Sequence, residues 1–204
     1  RDVLGRFKPG IWVITLAGFL NAAGFSISLP FISLYLYQNR GLSMTAVGGI
    51  ILGTGLFSAA AQAFSGVLTD RMGRRPMLLF SVSAGIIFQA SMAWLVATDA
   101  SIAYIVVAYA GVRACLMMGR PAMSAMIVDL APRERLTEAY GVLRMGQNLG
   151  WAAGPAVGGY LVGSLTYGWL FTSAALMGTV TLAVVFLALR ESFQGSGGQA
   201  SNVR

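Results

Sequence analysis

The chain has 204 residues, 56% of them hydrophobic and only 10% charged, with a mean hydropathy of +0.72 and a formal net charge of +7. So much apolar surface cannot hide in a water-soluble core of this size, so lipid is the expected solvent. With no histidine and a single cysteine, Cys115, the chain offers no imidazole, no ligand cluster at metal spacing and no intrachain disulfide, which argues against an intramembrane enzyme and for no bound cofactor.

Crossing a hydrocarbon core takes about 20 apolar residues, and six stretches reach that length. The first, Pro9 to Tyr37, is too long for a signal-peptide core and reads as a retained helix. It carries Asn21, Phe25 and Ser28 at spacings of four and three, a stripe suited to a wet pathway wall or to interhelical hydrogen bonding. A joint of Gln38, Asn39, Arg40 and Gly41 leads to the second span, Ser43 to Leu68, which runs into Asp70 and a cluster of arginines. The third span is Pro76 to Ala97.

The fourth, Ile102 to Val128, holds Arg113 near mid-membrane and Arg120 seven residues on, on nearly the same helical face. An arginine at a bilayer centre costs about 2.5 to 3.5 kcal/mol on the lenient insertion scale, so it faces a cavity or a partner. The alternatives are an Arg113 bonded to helix carbonyls and an Arg120 that snorkels to the interface. Asp129 closes this span. The fifth, Glu138 to Val162, bears a polar stripe of Arg144, Gln147, Asn148 and Trp151, and the sixth is Tyr167 to Leu189.

The joints are too brief for a separate soluble domain, so residues 1–190 read as one six-helix bundle and 191–204, rich in Ser, Gly, Gln and Asn, as a flexible tail. The basic residues sort by joint. Arg1, Arg6 and Lys8 precede the first span; Arg71, Arg74 and Arg75 follow the second; Arg133 and Arg135 follow the fourth; Arg190 and Arg204 follow the sixth. The other joints hold only Arg40. Positive-inside bias thus accounts for the charge without nucleic acid and places both termini in the cytoplasm.

Gly66, Leu68, Asp70, Arg71, Gly73, Arg74 and Arg75 resemble the signature loop of the major facilitator superfamily, G-x-L-x-D-R-x-G-R-R, with Gly66 suited to close helix approach and Gly73 to a tight turn. Gly141, Gly150, Gly154, Pro155, Gly158 and Gly159 on the fifth span are similar to the antiporter motif of that superfamily's drug:proton branch. Arg113 looks like the arginine of the family's fourth-span motif. The resemblance covers nearly the whole chain and implies an all-α membrane fold, the N-terminal half of a major facilitator unit, built from two three-helix inverted repeats. It also implies a charge latch in which Asp129 pairs with Arg74 and Asp70.

The implied activity is a secondary active transporter of efflux type, exporting small amphipathic or drug-like compounds in exchange for protons by alternating access in a bacterial inner membrane. Arg113, Arg120, Arg144, Asn21, Phe25, Gln147 and Asn148 would line its pathway. Two features depart from the family. All seven acids, Asp2, Asp70, Asp99, Asp129, Glu134, Glu138 and Glu191, fall at span ends, in joints or in tails, and the chain supplies one six-span half. A homodimer of half-size units would restore the missing half. The alternatives are a fragment of a twelve-span transporter, an organic-anion exchanger suggested by the interior arginines, and a non-transporting membrane assembly module.

Overall fold

The structure is a computed structural model that describes residues 7–189. The expected tail, 191–204, and the basic residues Arg1, Arg6, Arg190 and Arg204 lie outside the described residues. Seven α-helices are described: α1 (Pro9–Ser28), α2 (Phe31–Gln38), α3 (Met44–Met72), α4 (Arg74–Ala97), α5 (Ile102–Leu130), α6 (Leu136–Ser164) and α7 (Tyr167–Ala188), with a single 3₁₀ turn at Arg133–Arg135. The first expected span is divided into α1 and α2 because Pro30, with no N–H, cannot donate to the carbonyl one turn back, and the helix restarts at Phe31. Together the two still make a 30-residue apolar segment. That segment and α3, α4, α5 and α7 are long and apolar enough to cross a membrane. Helix α6 has the length, at 29 residues, and is the most polar of the set because it carries Glu138, Arg144, Gln147 and Asn148.

The helices pack in an arc. In spatial order α6 packs on α1, α1 on α7, α7 on α4, α4 on α5 and α5 on α3, while α3 and α6 at the two ends make no substantial contact with each other. Exchanging the first three spans for the last three leaves this list unchanged: α1 on α6 becomes α5 on α3, α1 on α7 becomes α5 on α4, and α4 on α7 maps to itself. An odd number of spans per repeat reverses the second copy across the membrane, so the fold is a pair of inverted three-helix repeats. Two apolar clusters hold it. One, with Ile11, Met77, Met126 and Val185, lies near the Arg74 end, hereafter the basic end; the other, with Leu36, Met92, Ile105 and Phe171, lies near the opposite end.

The tightest helix contact is α6 on α1. A Cβ at Gly146 would stand 2.8 Å from Thr15 Cγ2, at Gly150 2.8 Å from Ala23 N, and at Gly154 2.7 Å from the Ser26 backbone; at Gly158 it would collide with Ile27 O and the Phe31 ring. Ser26 Oγ crosses the seam to donate to Gly150 O at 2.9 Å. Glycines every four residues thus remove side chains along one line of α6, and small-residue lines of this kind are what allow backbones to touch in a membrane. Three glycines of the expected antiporter motif are in the seam. Gly141 is exposed with nothing within 4 Å of its Cβ position, Gly159 only grazes Phe31 at 3.9 Å, and Gly146, outside that motif, completes the line. Pro155 is exposed, and α6 runs through it unbroken.

Gly154→Ala therefore costs about 1 to 3 kcal/mol of overpacking, lowering the melting temperature of the detergent-solubilised protein. Gly141→Ala, with open space around it and a better helix former in place, leaves the melting temperature unchanged or raises it.

Candidate functional site

At the basic end the α3–α4 turn is made by Gly73, whose φ of +96° lies in the region only glycine enters freely. The turn sets two arginines at the start of α4. Arg74 Nε lies 3.2 Å from Asp129 Oδ2 at the end of α5, with side chains only 15% and 24% exposed, so water screens this pair less than an open surface pair. Arg75 donates to Phe186 O at 2.8 Å, satisfying a carbonyl in the last turn of α7, and its guanidinium stands 5.5 Å from the Phe186 ring. One turn thereby ties α5 and α7, two of the three helices of the second repeat, to the first.

Asp70 is not brought into this latch. It is exposed, because the face of α3 turned toward the bundle is the line of Thr54, Ser58, Ser65 and Thr69, all buried, and Asp70 lies one residue and about 100° around from Thr69. Those hydroxyls donate to carbonyls three or four residues back and leave α3 a smooth face toward α5. Arg71 is exposed in the last turn of α3, where a cation suits the helix terminus. Gly66 has nothing within 4 Å of its Cβ position, so the expected close approach is not made among the described residues.

Arg113 reaches from α5 to α3. Its Nη1 donates to Ile51 O at 3.1 Å and approaches Thr54 Oγ1 at 3.5 Å, its carbon lies 5.8 Å from the Tyr109 ring, and Gly55 leaves room for it. The carbonyl-bonded arrangement is the one observed. Phe25 and Ser28 also face inward. Phe25 is 7% exposed against Gly85, and Ser28 pairs with the buried amide of Gln89 at 3.4 Å.

The remaining expected residues converge on the concave side of the arc. Arg120 of α5 and Arg144, Gln147 and Asn148 of α6 line a cleft of about 370 Å³ with Gln62 of α3, Ser124 and Tyr140. Tyr140 Oη donates to Ser124 O at 3.1 Å, holding α6 to α5 at the mouth. Behind Arg120 and Gln147 a narrower niche continues to Asn21, Leu116, Met123 and Trp151. By residue count from the basic ends of their helices, Gln62 and Arg120 lie about 15 Å deep and Arg144 about 12 Å deep, one level within the membrane. Gln62 and Gln89 were absent from the sequence expectations, although an amide inside an apolar span is itself the signal that finds them. Tyr140 carried none.

The sequence model of the Major Facilitator Superfamily matches residues 14–202. Multidrug resistance protein MdtG of Dickeya zeae is 31% identical over 196 residues, 92% of this chain and 46% of that protein, and MdtG of Escherichia coli is 32% identical over 201 residues, 95% and 47%. The chain spans about half the length of these relatives. Among solved structures, the peptide transporter POT in complex with sulfate superposes with a TM-score of 0.76 at 20% identity, covering 91% of this chain and 38% of that one. The human organic anion transporter MFSD10 gives 0.67 at 20% identity, covering 95% and 49%.

The cleft is open on the hollow side of the arc. In a Cys115→Ser background, Asn148→Cys reacts with a membrane-impermeant maleimide, while Ser28→Cys, buried against Gln89, reacts at least tenfold more slowly.

Proposed function

The chain belongs to the Major Facilitator Superfamily, and from that premise we propose that it forms one half of an efflux-type secondary transporter whose cargo passes along the cleft between α3, α5 and α6. The observation that carries this reading is the convergence of Asn21, Gln62, Arg120, Arg144, Gln147 and Asn148 on the hollow side of the arc, while α4 and α7 close its back. Polar groups at this depth are costly against acyl chains, so they face water or a second bundle. Small amphipathic or drug-like compounds are the proposed cargo, in keeping with the name of the MdtG relatives. The distribution of Arg71, Arg74, Arg75, Arg133 and Arg135 supports a cytoplasmic basic end and cytoplasmic termini, and the MdtG relatives support a bacterial inner membrane.

Exchange for protons belongs to the same reading. The acids among the described residues, Asp70, Asp99, Asp129, Glu134 and Glu138, all sit at helix ends or in turns, and all but Asp99 are at the basic end, so the coupling carboxylate proposed for this half is there, either Asp129 of the latch or Asp70. Alternating access would open and close the contact between two such bundles, and the Arg74–Asp129 pair favours the conformation in which it is formed.

The second bundle is proposed to be another copy of this chain, related by an axis along the membrane normal. The axis would bring together α3 and α6, the ends of the arc, whose exposed apolar residues Leu52, Leu56, Phe64 and Tyr160 fit lipid or another helix alike. A different six-helix half is favoured by the matched relatives, of which the chain spans about half. The mass of the detergent-solubilised particle, with crosslinking of Met145→Cys in a Cys115→Ser background, separates the two: a homodimer doubles the chain mass and crosslinks to itself.

For transport, proteoliposomes with an imposed pH gradient move a fluorescent amphipathic dye, and Asn148→Leu slows that movement at least tenfold. Movement indifferent to the gradient removes the proton-exchange reading, and movement indifferent to Asn148 removes the cleft as the path.

A further inference from the structure

The charge of the cleft is one-sided. Arg120 and Arg144 reach it from α5 and α6, and every other polar side chain lining it, Gln62, Ser124, Tyr140, Gln147 and Asn148, is neutral. Among the described residues no carboxylate lines the cleft or the niche behind it. The ion pairs among the described residues join Arg74 to Asp129 and Arg40 to Asp99, at the two ends of the bundle, and neither Arg120 nor Arg144 has a hydrogen bond or ion pair among the described residues. Arg113, by contrast, is bonded to Ile51 O.

Two uncompensated guanidinium groups at one depth, on facing helices and beside a low-dielectric wall, produce a positive potential that a bound anion relieves. Guanidinium matches carboxylate and phosphoryl oxygens in a planar two-bond geometry, and nearby amides supply further donors. The niche behind Arg120 and Gln147, walled by Leu116, Met123 and Trp151, has room for about one water, so a ligand is held in the wider cleft, with its charged end at the two arginines and its apolar part toward the open hollow of the arc.

We propose that this cleft is a binding site for the oxyanion group, carboxylate or phosphoryl, of a small amphipathic molecule, with Arg120 and Arg144 as its two cationic arms. The assignment rests on the cleft being the cargo path and adds the sign of the cargo's charge. An anionic lipid headgroup carries the same chemistry as a free organic anion, and either source satisfies the site.

The test is equilibrium binding to the full-length protein in nanodiscs of neutral phosphatidylcholine, read by tryptophan fluorescence and by calorimetry. Phenylphosphonate and benzoate bind, and benzyltrimethylammonium at the same concentration does not. Arg120→Gln and Arg144→Gln each weaken phenylphosphonate binding at least tenfold, Arg120→Lys weakens it less, and inorganic phosphate competes with it. Repeating the titration with phosphatidylglycerol in the disc distinguishes the sources. A fall in phenylphosphonate affinity, with phosphatidylglycerol retained by the wild type and lost from the double glutamine variant, assigns the site to a headgroup; an unchanged affinity assigns it to a free anion.

Equal binding of the ammonium probe overturns the proposal, as does wild-type phosphonate affinity in both glutamine variants. Where a glutamine variant does not fold, the lysine variant and phosphate competition on the wild type decide. Anion binding without dye movement in proteoliposomes overturns the transport reading and leaves this one standing, whereas dye movement with no anion preference does the reverse.

Discussion

Backbone contact between α6 and α1 is the constraint on which the rest of the arrangement depends. Gly146, Gly150, Gly154 and Gly158 leave no side chain between the two helices, and Ser26 bonds across the gap to Gly150 O. In lipid no hydrophobic force distinguishes a helix neighbour from an acyl chain, so close van der Waals contact and the occasional hydrogen bond decide which helices associate. The same task on the other side of the arc falls to a different device. Helix α3 meets α5 through Thr54, Ser58, Ser65 and Thr69, whose hydroxyls bond to their own helix and present small, smooth flanks. The two flanking helices occupy equivalent positions in the two repeats, and each is pinned through its small residues, which turns its larger polar side chains toward the hollow of the arc.

The arginines divide by what each can reach. Arg74 and Arg75 find a carboxylate and a carbonyl at the basic end and join the repeats there. Arg40 ties the α2–α3 joint to the α4–α5 joint at the opposite end, donating to Ala100 O at 2.6 Å and standing 3.3 Å from Asp99. Arg113 finds the backbone of α3, a neutral partner that accepts from its Nη1 without cancelling its charge. Arg120 and Arg144 line open space instead. Positive charge thus stays in the hollow of the arc while the negative charge of the described residues is confined to its ends, which is the electrostatic basis for assigning the hollow a ligand.

A half bundle of this kind has two sorts of surface that suit different neighbours. The flanks at α3 and α6 are apolar and fit lipid or another helix; the hollow between them is polar and fits water or cargo. The proposed second bundle, facing the first, would keep lipid out of the hollow while leaving the backs of α4 and α7 in the membrane.

The sequence by itself determined the class of protein, the spans and the family resemblance, because those depend on local quantities: the length of apolar runs, the sign of charge in each joint, and the spacing of glycines and arginines around Gly73. The break at Pro30 is local as well, a missing N–H on one residue, but the apolar run continues through it and reads as one span, Pro9 to Tyr37. Tertiary structure alone decided which face each residue presents. It set Thr69 inward and Asp70 outward one position apart, gave Arg113 a carbonyl on another helix, left Gly66 and Gly141 without neighbours, and brought Gln62 and Tyr140 to a cleft with Arg120 and Arg144. Those outcomes depend on which helices touch and at what rotation. In a chain whose spans are apolar nearly all the way round, the hydrophobic pattern carries little information about rotation, and packing of small residues supplies it.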